Sequence, residues 1–316
     1  MRQMMSGQLP EIQIAAILTA MAAKGETISE LTGMAKVMRE FSVKVPIKNP
    51  LLDTCGTGGS GLARINVSTA SAFVLAACGV RVAKHGNRAV TSRSGSADVL
   101  EALGVRIDLP PESLGRLIDD VGIAFLFAPV LHPAMKHAIG PRREIRVRTL
   151  FNILGPLTNP ARPERQILGV FAPHLAPLLA RVLGEMGSVH SLVVHGAGGE
   201  DELSLETGNL AVEVRSGEDA LRSLTIDVGS LGFGIGGEDD LRGGDAADNA
   251  RWLESLLAGG VTGASRDAVI LNAGAAFYVS GLAADIAEGC ARARESIDSG
   301  SAAGCLGNLR EASRKL

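Results

Sequence analysis

Apolar positions in residues 1–45 recur every three or four residues, which predicts amphipathic helices. A first helix is predicted to begin after Pro10, because the fixed φ angle of proline suits a helix start. A second helix is predicted from Thr27 through about Phe41, since Thr27 and Glu30 have the spacing of a capping box. The apolar positions of the first helix are Ile12, Ile14, Ala15, Ile17, Leu18 and Met21.

From residue 51 onward, short apolar runs alternate with helical patterns. This alternation predicts an α/β fold with a mostly parallel central sheet flanked by helices. The polar stretch 203–231 predicts a hairpin, the Gly-rich stretch 232–248 predicts a surface loop, and the Ala-rich end of the chain predicts further helices. The predicted strands are 51–53, 79–83, 124–128, 166–171 and 191–195, and the predicted helices between them are 69–78, 97–103 and 113–121.

Two prolines separate the first helices from the first strand. The run VKVPIKNP, which ends at Pro50, is a poor helix former, so we predict a hinge at 46–50. Residues 132–165 carry Pro and Gly signals around a helical stretch, and we assign them together with 1–45 to a smaller all-helical domain. The larger α/β domain then comprises residues 51–131 and 166–316.

The overall composition argues against several classes of partner. A net charge of −3 gives no basic field for nucleic acid, and an aromatic content of 3% leaves few stacking platforms for bases. The four cysteines are scattered without a CxxC pair, which favours a reducing cytoplasm over disulfides or zinc. No apolar run approaches the length of a membrane span, and the N-terminus lacks the apolar core of a signal peptide. We therefore expect a cytoplasmic protein that binds neither nucleic acid nor membrane.

Two loops of similar character lie within fifty residues of each other. Residues 55–69 read CGTGGSGLARINVST, and residues 84–104 read KHGNRAVTSRSGSADVLEALG. Each loop leads into a predicted helix, whose free amides and dipole attract anions. Either loop alone is compatible with an ordinary strand–helix turn. Together they predict a ligand with two phosphate-like ends, bound at the carboxyl ends of parallel strands.

An ordered series of motifs along nearly the whole chain resembles the anthranilate phosphoribosyltransferase family. The resemblance implies transfer of a phosphoribosyl group from phosphoribosyl pyrophosphate (PRPP) to the amine of anthranilate, with release of pyrophosphate and use of Mg²⁺, in tryptophan biosynthesis. It also implies a nucleoside phosphorylase/phosphoribosyltransferase-like fold that forms a homodimer through its helical domains. The motifs are GTGG at 56–59, NVST at 66–69, KHGNR at 84–88, SGSADVLEALG at 94–104, HPAMK at 132–136, RTLFNILGPLTNPA at 148–161, DELS at 201–204 and LNAGAA at 271–276.

The resemblance assigns PRPP to residues 51–131. The glycine loop, residues 56–61, would surround the pyrophosphate. The lysine and arginine of KHGNR would contact phosphate oxygens, and hydroxyls of the second loop, residues 84–104, would hold the 5-phosphate. No residue is assigned an acid or base role, so catalysis would rest on positioning by Asn87, Lys84 and Arg88. The implied PRPP contacts are Gly56, Gly59, Ser60, Arg64, Asn66, Ser68, Thr69, Lys84, Asn87, Arg88, Thr91, Ser92 and Ser96.

Each remaining assignment has a structural alternative. The resemblance makes Ser68, Asp201 and Glu202 ligands of Mg²⁺, although Ser68 could simply cap a helix and the two carboxylates could be solvated. It places His132 beside anthranilate, although a buried structural histidine would satisfy the same pattern, as it would for His85. The implied anthranilate contacts are Gly56, Asn87, His132 and Arg142, of which Arg142 would pair with the carboxylate.

The chain departs from the family pattern at three positions. Ser60 stands where the glycine loop usually has Asp, Arg64 where it usually has Thr, and Arg146 where Gly is frequent. We hypothesise that Arg64 supplies positive charge and partly replaces a metal-centred contact. Arg146 could alter the loop that carries Arg142 and so the choice of acceptor. The resemblance also begins about one helix into the family's N-terminal region, which bears on the stability of the dimer.

Three other functions compete with this interpretation. A pyrimidine nucleoside phosphorylase shares the architecture, but HPAMK at 132–136 and NILGPLTNPA at 152–161 fit the anthranilate enzyme better. A related phosphoribosyltransferase could act on a different aromatic amine. A nucleic-acid-binding member of the family should be basic, whereas this chain is slightly acidic and keeps Asp201 and Glu202.

Overall fold

The structure is a computed structural model that describes residues 1–59, 64–89, 93–218 and 220–316. Strands and helices alternate through the middle of the chain, between helices at either end. The strands are β1 (Leu52–Gly56), β2 (Val82–Gly86), β3 (Ile123–Phe127), β4 (Arg165–Gly169), β5 (His190–His195), β6 (Asn209–Arg215) and β7 (Arg222–Ile226).

The described α-helices follow the same chain order, and short 3₁₀ turns lie at Pro133–Met135, Gly155–Leu157 and Glu238–Leu241. The α-helices are α1 (Arg2–Met5), α2 (Glu11–Lys24), α3 (Ile28–Phe41), α4 (Val67–Ala77), α5 (Ser96–Ala102), α6 (Pro111–Val121), α7 (Ala128–Leu131), α8 (Lys136–Ile145), α9 (Phe151–Leu154), α10 (Leu175–Glu185), α11 (Ala246–Leu257), α12 (Ala264–Ser280), α13 (Ile286–Asp298) and α14 (Ser301–Lys315).

The sheet has the order β3-β2-β1-β4-β5-β6-β7. The five strands from β3 to β5 are parallel, and β6 and β7 extend the sheet as an antiparallel hairpin. The chain builds outward from β1 through β2 to β3, and then returns to place β4 on the other side of β1. The prediction of a mostly parallel sheet flanked by helices is confirmed, and so is the hairpin within 203–231.

Alternate side chains of the central strands enter two separate apolar cores, as the period of a strand requires. On β4, Ile167 packs with helices α4, α6 and α11–α14 on one face of the sheet. Its neighbour Leu168 packs with α1–α3 and α10 on the other face. Helix α4 is buried along most of its length between the sheet and the C-terminal helices. The sheet is therefore covered on both sides, as parallel sheets require.

The N-terminal helices form where the sequence predicts them. The Thr27 hydroxyl accepts a hydrogen bond from the Glu30 backbone N–H, and the Glu30 carboxylate accepts one from the Thr27 backbone N–H at 3.0 Å, which confirms the capping box. Ile14 of α2 is buried, but Ile12 is 79% exposed. The first helix thus covers the core with only part of its apolar face.

Residues 132–165 pack with the N-terminal helices. Leu150, Phe151 and Leu154 share an apolar cluster with residues of α1, α2 and α3. This packing favours the assignment of 132–165 to the helical domain, which stays a prediction together with the other domain boundaries. The segment 46–50, where we predict the hinge, contains neither helix nor strand.

One local prediction is wrong. Strand β2 begins at Val82 rather than at residue 79, because Gly79 adopts φ +86° and completes the turn that follows α4. The stretch 232–248 is mostly exposed and irregular up to the start of α11, as predicted for a surface loop, but Leu241 within it is 1% exposed, and its carbonyl accepts a hydrogen bond from the Ile65 N–H at 3.1 Å. Among the described residues, no helix is both long enough and apolar enough to cross a membrane.

Candidate active site

The loops that the sequence singles out meet at one edge of the sheet. Strands β1, β2, β4 and β5 are parallel, so their carboxyl ends lie on the same side. At the ends of β1 and β4, Gly56 stands opposite Gly169. The chain changes direction between these two strands, and such switch points are where open α/β sheets bind ligands.

The glycine loop leaves β1 through a turn that requires glycine. Gly58 and Gly59 adopt φ +66° and +84°, which side-chain-bearing residues rarely do. Gly56 has a different reason to be glycine, because a Cβ there would lie 2.1 Å from Asp201 Oδ2. The loop is tied to the next strand by the Thr57 N–H, which donates to the Gly169 carbonyl at 2.9 Å. The predicted contact Ser60 lies outside the described residues.

The acidic turn after β5, formed by Glu200, Asp201 and Glu202, contacts the glycine loop. The Gly58 N–H donates to Asp201 Oδ2 at 2.7 Å, so in this structure a loop amide that could bind phosphate is engaged by a carboxylate. Burial is the main cause that raises the pKa of Glu202 to about 8, and the neighbouring Asp201 carboxylate is the second. Burial also raises the pKa of Asp201, against the effect of the Gly58 hydrogen bond. The two predicted metal ligands therefore lie partly buried beside the predicted anion site.

Replacing Gly169 by alanine tests this packing. A Cβ at Gly169 would lie 1.6 Å from the Asp201 carbonyl oxygen, so the acidic turn would have to move away from β4. We expect turnover to fall at least tenfold, because a shift of about 1 Å in a positioning group can cost that much. Steady-state kinetics should show the loss, while Gly304→Ala, which meets nothing within 4 Å on α14, should leave activity unchanged. Full activity of Gly169→Ala would contradict the packing.

The start of helix α4 brings three predicted PRPP contacts to the same edge. Asn66 is the N-cap residue and Ser68 lies within the first turn, so the interpretation of Ser68 as a cap is wrong. Lys84, at 3% exposure, donates from Nζ to the Thr54 carbonyl and to Ser68 Oγ, the latter at 3.2 Å. Thr69 is buried, and its hydroxyl has no partner among the described residues. Ser68 and Lys84 therefore lie in direct contact at the floor of the site.

The second loop leaves β2 and returns to helix α5. The Asn87 carboxamide accepts the Arg88 N–H at 2.8 Å, and the Asn87 carbonyl accepts a hydrogen bond from Ser96 Oγ at 3.4 Å. The Arg88 guanidinium pairs with Asp98 at 3.2 Å and with Glu101, so a phosphate would have to share it or displace these carboxylates. The predicted contacts Thr91 and Ser92 lie outside the described residues.

Arg64 does not face open solvent at the mouth of the glycine loop. Its side chain is 8% exposed, and its Nη2 donates to Glu200 Oε1 at 2.6 Å. Its Nη1 lies 3.9 Å from Glu202 Oε1. The positive charge that the sequence predicts for this loop is therefore directed at the acidic turn.

Arg142 is the predicted contact for the acceptor carboxylate, and it lies near the end of helix α8. Its guanidinium stacks on the Phe151 ring at 5.0 Å from the centroid. Burial alone lowers the pKa of Arg142, and none of the carboxylates in the described residues contributes to that shift. Arg146, which follows α8, adopts φ +51°, the left-handed region that favours the glycine frequent there in the family. A half-buried guanidinium without a carboxylate partner suits an anionic ligand.

His85, at the start of the second loop, lies against His132. Their ring centroids are 5.1 Å apart, and both side chains are buried. Burial lowers the pKa of His132 to about 4, and burial followed by the proximity of His132 lowers the pKa of His85 to about 3. Both rings are therefore neutral near pH 7, which favours the structural interpretation of His85 and leaves the contact of His132 with anthranilate as a prediction.

These two histidines should make the fold sensitive to acid. Their pKa values are lower in the folded chain than in the unfolded chain, so the stability they contribute is complete above about pH 6.5 and is lost as pH falls towards 4. At pH 5, each should cost about 2 kcal/mol of unfolding free energy. Between pH 7 and pH 5, urea denaturation should show a smaller loss for His132→Gln than for the parent. The exposed His174→Gln should lose as much as the parent, and equal losses in all three proteins would refute the assignment.

Two groups of residues escaped the sequence reasoning. Arg148 donates to the Gly59 carbonyl and stacks on the Phe171 ring at 4.4 Å, so it supports the glycine loop from a distant segment. Asp53 accepts hydrogen bonds from the His85 N–H at 3.2 Å and from the Asn159 side chain at 2.9 Å. The one sequence signal for this buried network was that Asp53 is a charged residue directly after two leucines of a predicted buried strand.

The donor set near the acidic turn fits Mg²⁺ that is shared with a substrate. Among the described residues, no three His, Cys, Asp or Glu side chains converge as a closed metal cage. Mg²⁺ commonly takes one or two carboxylates and completes its octahedron with water and phosphate oxygens. Asp201 and Glu202, beside the predicted anion-binding loop, can supply the carboxylates of such a site.

Comparison with known proteins gives the same picture. Residues 1–42 match the helical bundle domain of the glycosyl transferase family, and residues 48–303 match its a/b domain. The anthranilate phosphoribosyltransferase of Symbiobacterium thermophilum is 48% identical over 317 residues, covering 100% of this chain and 92% of the relative. That of Pelotomaculum thermopropionicum is 52% identical over 312 residues, covering 98% and 90%.

Solved structures agree with the sequence matches. The anthranilate phosphoribosyltransferase of Thermus thermophilus superimposes with a TM-score of 0.93 at 44% identity, covering 99% of this chain and 93% of that one. The enzyme of Saccharomyces cerevisiae in complex with PRPP and Mg superimposes with a TM-score of 0.88 at 28% identity, covering 97% and 86%. This chain therefore belongs to the anthranilate phosphoribosyltransferase family.

Proposed function

We propose that this chain transfers the 5-phosphoribosyl group of PRPP to the amine of anthranilate, giving N-(5-phosphoribosyl)anthranilate and pyrophosphate, in tryptophan biosynthesis. The observation that carries the proposal is the convergence of a glycine loop, a buried lysine and an acidic turn at the β1/β4 switch point. Together they offer amides, a cation and hard oxygen ligands to a phosphorylated sugar. Relatives at about half identity over the full chain carry the name of this activity.

The mechanism requires little acid–base chemistry, because the anthranilate amine is already a neutral nucleophile. Asn87 and the glycine loop would hold the donor while Arg142 orients the acceptor, so that the amine faces the anomeric carbon. Lys84 and the loop amides would stabilise the pyrophosphate as it leaves. Movement of the two domains about 46–50 would exclude water that otherwise hydrolyses PRPP.

We include Mg²⁺ in the proposal, with Ser68, Asp201 and Glu202 as its protein ligands. When bound, the ion supplies positive charge to the phosphate oxygens of the donor and the leaving group. The yeast relative has been seen with PRPP and Mg, which supports the assignment. We also place the protein in the cytoplasm, since its cysteines are free thiols and Cys78 is exposed, as is typical of reducing compartments.

The test of this function is a fluorescence assay of anthranilate consumption. We expect consumption only when PRPP and Mg²⁺ are both present, and loss of consumption when EDTA is added. Other aromatic amines should be screened as acceptors, and thymidine with phosphate as a phosphorylase substrate. Consumption of another amine in preference to anthranilate, or phosphorolysis of thymidine, would overturn the proposed substrate.

We further propose a homodimer through the helical domain. Ile12 and Ile17 on α2, and Ile139 on the neighbouring α8, are 79%, 40% and 47% exposed. Burying such side chains against a second copy would stabilise the association by about 25 cal/mol per Å² of apolar surface. Ile12→Glu/Ile139→Glu should convert a dimer to a monomer in light scattering after size exclusion. The exposed Leu282→Glu on the α/β domain is the control and should remain dimeric.

A further inference from the structure

Arg64 and three consecutive carboxylates, those of Glu200, Asp201 and Glu202, form a largely buried charged cluster that includes the candidate metal ligands. Arg64 Nη2 donates a hydrogen bond to Glu200 Oε1 at 2.6 Å, and Nη1 lies 3.9 Å from Glu202 Oε1. The side chains of Glu200 and Glu202 are 2% and 16% exposed. Three polar atoms of this pair have no hydrogen-bond partner within the described residues, namely Nε and Nη1 of Arg64 and Oε2 of Glu200. The guanidinium therefore has donor atoms left over and lies between two carboxylates.

The fold holds Arg64 in this position through its backbone. Residue 64 forms a β-bridge with Arg242, and its carbonyl accepts a hydrogen bond from Asn249 Nδ2 at 3.2 Å. Gly243 permits this close approach, since a Cβ there would lie 2.3 Å from the Arg64 carbonyl oxygen. These contacts, from α11 and the segment before it, hold the backbone of residue 64, and the 8% exposure of the side chain shows that the guanidinium is enclosed in the site rather than a surface charge.

We propose that Arg64 acts as a resident counter-cation of the acidic turn, which keeps the divalent-ion affinity of the substrate-free protein low. Its charge opposes a cation arriving at Asp201 and Glu202, and Glu200 holds it there. The phosphates of the donor then supply the negative charge and the oxygen ligands that let Mg²⁺ bind, so metal and donor enter together. This inference rests on the proposed function only for the assignment of Asp201 and Glu202 to the metal.

The test is Mn²⁺ binding to the substrate-free full-length protein, measured by the loss of the free Mn²⁺ signal in electron paramagnetic resonance. Arg64→Gln should bind Mn²⁺ at least tenfold more tightly than the parent, because a positive charge is lost. Glu200→Gln should bind it more weakly, since Arg64 then faces Glu202 unopposed. Arg64→Lys should stay within threefold of the parent, which separates charge from packing.

Controls make the result specific. Arg242→Gln removes an exposed arginine that pairs with Asp239 and should leave Mn²⁺ affinity unchanged. Melting curves identify any variant that fails to fold. If Arg64→Gln fails to fold, the double variant Arg64→Gln/Glu200→Gln, which buries no lone charge, takes its place. The double variant should bind Mn²⁺ more tightly than Glu200→Gln. Adding Asp201→Asn and Glu202→Gln to Arg64→Gln should abolish the gain in affinity.

The outcomes distinguish this inference from the proposed function. A folded Arg64→Gln protein that binds Mn²⁺ within threefold of the parent would overturn the role of Arg64, as would a gain that survives loss of Asp201 and Glu202. If the parent still consumes anthranilate with PRPP and Mg²⁺, the proposed function stands without it. If the parent consumes none while Arg64→Gln binds Mn²⁺ tightly, the counter-cation stands and the proposed reaction fails.

Discussion

Replacing Arg142 by alanine is expected to raise the KM for anthranilate roughly 100-fold, while the KM for PRPP stays within about threefold of the parent. Removing one partner of a buried, charge-assisted pair costs about 3 kcal/mol, which is about two orders of magnitude in affinity. The Arg142 guanidinium is half-buried against Phe151, and among the described residues no carboxylate shifts its pKa. An acceptor carboxylate would therefore meet a cation that already has its orientation and is partly desolvated.

The neighbouring Arg143 provides a matched control. It lies in the same turn of α8 but is exposed to solvent, so Arg143→Ala should change either KM by less than about twofold. Initial rates measured over a matrix of both substrates separate the two KM values. A defect of Arg142→Ala on the PRPP side alone would contradict its assignment to the acceptor, and Arg142→Lys should recover only part of the loss because lysine cannot form a bidentate pair.

The sheet was predictable because each central strand is a short apolar run between helical patterns. The runs near residues 124 and 191 coincide with β3 and β5 to within one residue at their starts. Strand β2 was displaced because Val80 continues the apolar run of the following strand, while the turn is set by the positive φ of Gly79. Sequence patterns thus locate buried strands well, and local backbone geometry decides where they begin.

The positions of the two predicted anion-binding loops followed from the same reasoning, but their internal contacts did not. Arg64 and Glu200 are 136 residues apart, and Asp53 and Asn159 are 106 apart. Neither pairing has a periodic signal, because each depends on which strands become neighbours in the sheet. The sequence therefore predicted the loops that meet at the site, whereas the partners of buried charges required the three-dimensional arrangement of β1, β4 and β5.

Stretch 232–248 shows where a composition-based prediction is incomplete. Its composition is that of a solvated loop, with many Gly and Asp residues. In the fold, Gly243 is needed because the chain passes against the backbone of Arg64, and Leu241 is buried with its carbonyl bonded to the Ile65 N–H. Glycine allows a close approach as readily as it allows a flexible turn, and composition does not distinguish between them.

Asp53→Ala should have the largest effect on stability, a loss of about 3–5 kcal/mol in the free energy of unfolding. Asp53 is 0% exposed, and its carboxylate accepts hydrogen bonds from the His85 N–H and the Asn159 side chain. Burial raises the pKa of Asp53 to about 6, against the effect of nearby Lys84, so the carboxylate is ionised at neutral pH. Alanine would leave the buried Lys84 ammonium without its counter-charge.

The comparison with Asp53→Asn separates charge from hydrogen bonding. Asparagine keeps the volume and one acceptor oxygen, so we expect a loss of about 1–3 kcal/mol, between the alanine variant and the parent. The exposed Asp108→Ala should lose less than about 1 kcal/mol, because its pair with Arg106 is on the surface. Urea denaturation at pH 7.5 measures all three, and an Asp53→Ala protein as stable as Asp108→Ala would show that Lys84 does not depend on this carboxylate. Because Lys84 also contacts Ser68 at the floor of the site, Asp53→Ala should weaken PRPP binding as well as the fold.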